Sequence, residues 1–222
     1  MEILSYIIAN WDLIMVRTGQ HIAIVGVAVG LAILTGVPIG ILITQNKRLA
    51  TGVLYVASII ITIPSIALFG IMIPVLSLIG QGIGYLPAVI AVLLYSQLPI
   101  IRNTYTAISN VDPALREAGR GMGLTRLQRL REVELPLAVP VIMAGVRIAV
   151  VMNIGVTAIA AYIGAGGLGD FISRGISQTD PRQLVTGALA VSVLAVAADF
   201  ALLGLQRLLT SPGLRETART PA

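Results

Sequence analysis

The chain has 222 residues, of which 56% are hydrophobic and 11% charged, and its formal net charge is +5. Together with a mean hydropathy of +0.93, this composition excludes an ordinary soluble domain and indicates an integral membrane protein. Cysteine is absent and His21 is the single histidine, so neither a disulfide framework nor an imidazole cluster for a metal is expected. The basic balance comes without interleaved aromatics or a recognition helix, so nucleic acid is not a predicted partner.

The first 17 residues place apolar side chains at helical spacing, including Leu4, Ile8 and Trp11, with Glu2 and Asp12 on the other side of the helix. This pattern predicts an amphipathic helix at the membrane interface over residues 1–17.

The next part of the chain consists of long apolar runs, and about 20 apolar residues suffice to cross the hydrocarbon of a bilayer. The charge-free run over residues 49–101 is too long for one crossing, and the glycine-rich turn at residues 80–84 divides it. The predicted spans are residues 18–46, 50–79, 85–108, 137–163 and 184–209. The expected fold is therefore all-α, with one five-span domain over residues 18–209 and a short tail over residues 210–222.

Between the third and fourth spans lies the one densely charged stretch, Asp112–Pro136, which we call the charged segment. Asp112 followed by Pro113 is an N-cap with a first-turn proline, and Thr125 with Gln128 is a capping box. Two short helices joined at Gly121 and Gly123 are predicted.

The charged segment resembles the coupling loop of permease subunits of ATP-binding-cassette importers. Its matching residues are Glu117, Ala118, Gly119, Gly123, Val133, Leu135 and Pro136, with Gly119 in place of a second Ala and Val133 in place of Ile. The resemblance implies that this helix docks in a groove of an ATPase subunit, with Glu117, Ala118, Gly119, Gly123 and Leu124 as the contact residues.

The phrases IPSIALFGIMIP and AAYIGAGGLGDFISRGI are similar to permeases for osmoprotectants, meaning glycine betaine, carnitine or choline. The resemblance covers roughly residues 18–209. It implies two ATPase subunits that bind ATP and Mg²⁺, a second permease copy or paralogue, and a solute-binding protein. It also implies a multi-pass protein of the bacterial inner membrane.

The distribution of basic residues predicts the orientation, because loops that carry Lys and Arg stay in the cytoplasm. If the charged segment is inside, the cytoplasmic residues are Lys47, Arg48, Arg116, Arg120, Arg126, Arg129, Arg131, Arg207, Arg215 and Arg219, whereas Arg17, Arg174 and Arg182 are outside. This bias predicts an external N-terminus and a cytoplasmic C-terminal tail.

Polar residues within the spans are candidates for the translocation path, because such side chains face protein or water rather than lipid. These candidates are Ser58, Thr62, Ser65, Ser96, Gln97, Asn103 and Asn153, close to the span prolines Pro38, Pro64, Pro74 and Pro99. Each hydroxyl could instead bond back to its own helix or bridge two helices.

Arg147 and Asp199 are charges within the fourth and fifth spans, where a lone charge costs about 2.5 kcal/mol or more on insertion scales. They are expected to find partners, either each other or, for Asp199, Arg102. A structural ion pair is the favoured interpretation, and a proton relay is the alternative.

The run Gly164–Gly169 has G-x-G-x-x-G spacing but follows an apolar span, so it is not predicted to bind a dinucleotide. A tight turn followed by a short helix at residues 168–176 is expected, with a docking surface for an external partner as the other possibility. The chain carries no G-x-x-x-x-G-K-[ST] motif and no catalytic constellation, so it is predicted to be a conduit and not an enzyme.

Two alternatives remain open at this level. The chain could be a permease for methionine or another small solute, or a secondary transporter driven by an ion gradient, although no internal repeat of the kind typical of the latter is visible.

Overall fold

The computed structural model describes residues 2–210, which form a bundle of α-helices with no β-strand. The helices are α1 (Glu2–Ala9), α2 (Trp11–Leu42), α3 (Lys47–Thr62), α4 (Ser65–Ser77), α5 (Tyr85–Ser109), α6 (Pro113–Gly121), α7 (Arg126–Arg129), α8 (Leu135–Ile159), α9 (Gly169–Ser177) and α10 (Pro181–Leu209). The predicted all-α class is confirmed. Apart from Thr210, the predicted tail lies outside the described residues, as do Arg215 and Arg219.

Four helical segments in residues 2–210 are long and apolar enough to cross a membrane: Trp11–Gln45, Tyr85–Ser109, Arg126–Ile163 and Pro181–Leu209. They correspond to the predicted first, third, fourth and fifth spans. Counting the bent pair α3 and α4 as one broken span gives five.

The second span is not the continuous crossing predicted over residues 50–79. Helix α3 ends at Thr62, α4 begins at Ser65, and the two are bent by 98°. Pro64 explains the break, because a proline disfavours helical geometry in the residue before it. Ile63 accordingly has extended backbone angles of φ −68° and ψ 125°.

The N-terminal boundary also differs from the prediction. Helix α1 ends at Ala9, and residues 11–17 already belong to α2, the first long helix. At the junction the Asn10 side chain donates a hydrogen bond to the Tyr6 carbonyl over 2.9 Å, which caps the end of α1. Whether α1 lies at the membrane interface stays a prediction.

Helix α5 lies at the centre of the bundle, packed against α2, α3, α4 and α8. Small side chains make these contacts close, and several are fully buried: Ala28 and Ala32 on α2, Ala88 and Ala91 on α5, and Ala149 on α8. Within a membrane, where lipid is as apolar as the helices, such close packing is a main source of association.

Gly145 on α8 marks the closest approach to α5. A methyl group there would lie 2.6 Å from Asn103 Cβ and 2.7 Å from the Pro99 carbonyl oxygen. We expect Gly145→Ala to destabilise the protein by about 1–3 kcal/mol, the usual cost of overpacking, seen as a lower melting temperature of the purified protein in detergent.

Gly155→Ala is the matched control, because Gly155 is also on α8 and an added methyl meets no atom within 4 Å. Both variants share the same gain in helix propensity. Equal melting temperatures would contradict the close contact of α5 and α8.

Candidate functional site

The charged segment folds as its capping residues predict. Asp112 caps α6 by accepting a hydrogen bond from the Ala114 amide over 2.8 Å. Thr125 and Gln128 form a reciprocal capping box at the start of α7. Of the two predicted joint glycines, Gly121 is the last residue of α6, while Gly123 makes the turn with φ 80°.

The five predicted contact residues divide between the surface and the α6–α7 contact. Glu117, Ala118 and Gly123 are exposed, Leu124 is half-buried and Gly119 is buried. A methyl group on Gly119 would lie 3.4 Å from Arg129 Cγ and 3.5 Å from Leu124 Cδ1, which is ordinary contact. The position can therefore hold Gly or Ala, and the departure from the permease pattern leaves the packing intact.

The charged segment continues directly into the fourth span. A π-helical turn at Leu130–Glu134 joins α7 to α8, so residues 126–163 form one continuous helical segment. A π turn is rare and commonly occurs at functional sites. Displacement of α7 would therefore act on a membrane helix without an intervening loop.

This turn also contains a buried carboxylate that is not predicted from the sequence. Glu134 is 7% exposed, and its Oε1 lies 2.9 Å from Arg129 Nε and 3.7 Å from Arg116 Nε. The only signal in the sequence is one acidic residue directly before the apolar run Leu135–Pro136. That position does not show that Glu134 is buried while Glu132, two residues earlier, is exposed.

Arg147 and Asp199 face each other across α8 and α10. Arg147 Nε lies 3.0 Å from Asp199 Oδ1, and Arg147 Nη2 lies 2.8 and 2.9 Å from the two carboxylate oxygens. Gln206 accepts from Arg147 Nη1 over 3.4 Å and donates to the Pro140 carbonyl over 3.1 Å. Arg102, the other proposed partner of Asp199, instead donates to Ser58 Oγ over 3.2 Å.

The polar candidates for the path fall into two groups. Ser96 and Asn153 are fully buried, and Asn153 Nδ2 donates to Ser96 Oγ over 2.9 Å, which joins α5 to α8 inside one chain. The hydroxyls of Ser58 and Thr62 donate to carbonyls of their own helix, as the helix-bonding alternative predicts. Thr62 and Ser65 flank the sharp bend between α3 and α4.

Gln97 borders a groove of about 650 Å³ between α2, α3 and α5. Its Nε2 donates to Thr35 Oγ1 over 3.0 Å, while its Oε1 is buried and has no hydrogen-bond partner among the described residues. The other walls are almost wholly apolar, apart from Arg48. Asn103, by contrast, donates to the Pro99 carbonyl of its own helix over 2.8 Å.

The glycine run Gly164–Gly169 is a turn held on the start of α2. Gly167 donates its amide to Gln20 Oε1 over 3.1 Å, and Leu168 donates to His21 Nδ1 over 3.3 Å. Because Nδ1 accepts, His21 Nε2 donates to the Ile154 carbonyl, 3.0 Å away. The predicted turn and short helix are present, the latter as α9. The contacts of Gln20 and His21 with this turn cannot be predicted from the sequence, because the partners are 147 positions apart.

The same end of the bundle carries several ion pairs. Arg17 Nη2 lies 2.7 Å from Asp170 Oδ2, which ties α2 to α9. Asp180 caps α10, and its hydrogen bonds with the Arg182 side chain lower the pKa of the carboxyl to about 2. The stabilisation from this ionised cap is therefore present above the ordinary carboxyl pKa and is lost only as the pH falls towards 2.

A helical membrane body, in which the short charged helices α6 and α7 lead into one of the long helices, is the architecture expected of a membrane transport permease. Residues 36–211 match the family model described as "Binding-protein-dependent transport system inner membrane component", and the chain belongs to this family. The predicted identification as an importer permease is confirmed, and the secondary transporter alternative is not supported.

Similar proteins cover nearly the whole chain. The osmoprotectant import permease protein OsmW of Salmonella typhimurium is 57% identical over 97% of this chain and 100% of its own length. The glycine betaine/carnitine/choline transport system permease protein OpuCB of Bacillus subtilis is 39% identical over 96% of both chains. Among solved structures, an inward-facing MetNI methionine ABC transporter matches with a TM-score of 0.81 and 26% identity, over 91% of this chain and 99% of that one.

Proposed function

We propose that this chain is the transmembrane subunit of an ATP-driven importer for a small osmoprotectant such as glycine betaine, carnitine or choline. The observation that carries the proposal is 57% identity, over 97% of the chain, to an osmoprotectant import permease. Permeases named for choline and carnitine transport, 40% and 42% identical over 96% of the chain, support the same solute class.

In the proposed assembly, two copies of the chain, or one copy and a paralogue, enclose the path between them. Two ATPase subunits bind ATP and Mg²⁺ and dock on α6 of the charged segment, and a solute-binding protein docks at the opposite end, near the glycine run and α9. The excess of Lys and Arg in and near the charged segment supports a cytoplasmic location for that segment. The N-terminus then lies outside and the C-terminus inside.

In the proposed mechanism, movement of the ATPase subunits moves the helices of the permease. Closure of the ATPase subunits displaces the exposed face of α6, which carries Glu117 and Ala118. The continuous segment over residues 126–163 transmits that displacement into the membrane and rocks the bundle between inward and outward access.

The proposed path lies on the α3 and α5 side of the bundle. Thr62 and Ser65 flank the bend, Ser58 lies one turn before it, and Gln97 borders the groove. The buried hydrogen bond from Asn153 to Ser96 holds α5, which forms part of this side of the bundle, against α8.

The proposed solute class is tested by reconstituting the purified permease with its ATPase and solute-binding protein in liposomes. We expect ATP-dependent uptake of radiolabelled choline, carnitine or glycine betaine and no uptake of methionine. Uptake of methionine alone would overturn the solute class, and uptake driven by an ion gradient without ATP would overturn the mechanism.

The proposed path is tested by replacing Gln97 with Leu, which keeps the volume and removes the amide. We expect the KM for uptake to rise by about 2- to 10-fold, the equivalent of one lost hydrogen bond, with unchanged amounts of protein in the membrane. Asn153→Leu is the comparison, because it should instead lower the melting temperature by breaking the bond to Ser96. An unchanged KM for Gln97→Leu would remove Gln97 from the path.

A further inference from the structure

Glu134 lies in the charged segment at the point where α6, α7 and the start of α8 meet. We propose that Glu134 is a positioning residue. It acts as a clamp that holds α6, α7 and the start of α8 together as one rigid unit, which we call the arm, so that a displacement of α6 moves α8 by the same amount. This inference rests on the proposed function, in which an ATPase acts on the charged segment.

Glu134 differs from the neighbouring charged residues in being buried. Glu134 is 7% exposed, whereas Arg131 and Glu132, in the same π turn, are exposed. A buried carboxylate is costly unless charged or hydrogen-bonding partners surround it. Glu134 has two such partners, Arg116 and Arg129, and they come from two different helices.

The partners of Glu134 connect separate elements. Arg129 is the last residue of α7, and its Nε lies 2.9 Å from Glu134 Oε1. Arg116 is on α6, and its Nε lies 3.7 Å from the same oxygen. Arg116 also donates through Nη2 to the Ile108 carbonyl near the end of α5. One carboxylate therefore links α6 and α7 to the start of α8, and Arg116 extends the link to α5.

The π turn is the part of this helical segment that such a clamp would support. A π turn interrupts the regular hydrogen bonding of a long helix, and sharp kinks commonly occur at these interruptions. Leu130–Glu134 is the point at which a load on α7 would bend the helical segment instead of moving α8. The ion pair between Arg129 and Glu134 spans this turn from its preceding residue to its last residue, and so opposes the bend.

The contact between Arg116 and Glu134 leaves room for a change during transport. At 3.7 Å it is an ion pair without a hydrogen bond, and Arg116 Nε is buried with no hydrogen-bond partner among the described residues. A shift of α6 towards α8 would shorten this contact and satisfy the Arg116 donor. The clamp would then tighten as α6 is pushed towards the membrane.

The test compares Glu134→Gln with Glu132→Gln, which removes the same charge from an exposed position in the same turn. The chain has no cysteine, so spin labels attach only where cysteines are introduced. Arg120 on α6 and Ile148 on α8 are both exposed. Spin labels on Arg120→Cys and Ile148→Cys report the distance between α6 and α8. Distance distributions are measured by pulsed electron paramagnetic resonance on the full-length permease in lipid nanodiscs.

We expect Glu134→Gln to broaden the distance distribution and Glu132→Gln to leave it unchanged. In the reconstituted transporter, Glu134→Gln should lower the solute transported per ATP hydrolysed by about 2- to 30-fold, the range over which residues along a coupling path act. Replacing Arg129 by Gln as well should add little, since the two side chains form one contact.

An unchanged distance distribution and an unchanged transport ratio in Glu134→Gln would overturn the clamp. A broadened distribution without a change in the transport ratio would also overturn it, since Glu134 would then be merely structural. If no ATPase co-purifies with the unmodified permease, the proposed function fails. The distance measurement on the permease alone then still decides whether Glu134 holds the arm together.

Discussion

Glu117→Lys is expected to leave the permease in the membrane and to abolish the coupling of ATP hydrolysis to uptake. Glu117 is exposed on α6 and has no ion-pair partner among the described residues, so its replacement does not disturb the fold. If α6 docks on an ATPase, reversing the charge places a repulsive contact at that interface, and such a contact costs several kcal/mol. Uptake should fall by about tenfold or more, since each 1.4 kcal/mol is a factor of ten.

Three quantities decide this prediction: the permease in the membrane fraction, the ATPase recovered with it, and the uptake per ATP hydrolysed by the complex. Glu132→Lys is the control, because it makes the same charge reversal at an exposed position of the same segment. Normal uptake by Glu117→Lys would contradict docking through α6. Equal losses in both variants would assign the effect to net charge and not to the α6 surface.

Breaking the pair of Arg147 and Asp199 is expected to have the largest effect on stability. Either single replacement by Ala leaves one unpaired charge within a span, which costs about 2.5–3.5 kcal/mol on insertion scales. The amount of folded protein recovered from membranes should fall accordingly, as measured by gel filtration in detergent. In Asp199→Ala the remaining contact of Arg147 is with Gln206, and a neutral amide cannot balance the positive charge.

Two double variants separate a structural pair from a proton relay. Arg147→Met with Asp199→Leu removes both charges and should recover much of the lost protein, because an apolar pair can replace an ion pair of similar volume. The swapped pair, Arg147→Asp with Asp199→Arg, should also recover assembly. If neither double variant does so, the pair is not structural. If the apolar pair assembles but transports nothing, a role for Asp199 in proton transfer becomes the better explanation.

Local patterns of the charged segment were readable because they involve residues three or four positions apart. The Asp112 cap and the Thr125 capping box depend on short-range hydrogen bonds, and both are present as predicted. Glu134 could not be found in the same way. Its burial depends on how α6 folds back onto the π turn, and it differs from Glu132 only by that packing.

The polar residues of the spans show the same limit. Ser96 and Asn153 are 57 positions apart, and their hydrogen bond exists because α5 and α8 approach closely. From the sequence both looked like path residues, equivalent to Gln97. The structure instead places Ser96 and Asn153 in the core and Gln97 on the border of a groove. The intramembrane charges differ from these polar residues: an isolated charge in an apolar helix has few possible partners, and Arg147 lies 2.8 Å from Asp199.

The sequence by itself determined the class of protein, the membrane helices and the charged segment, because hydropathy, capping and motif spacing act over short distances along the chain. Only the tertiary structure decided the 98° bend between α3 and α4, the continuity of α7 with α8, and the burial of Glu134. These features depend on which helix faces meet, and the free energy of that choice comes from contacts between residues far apart in the chain.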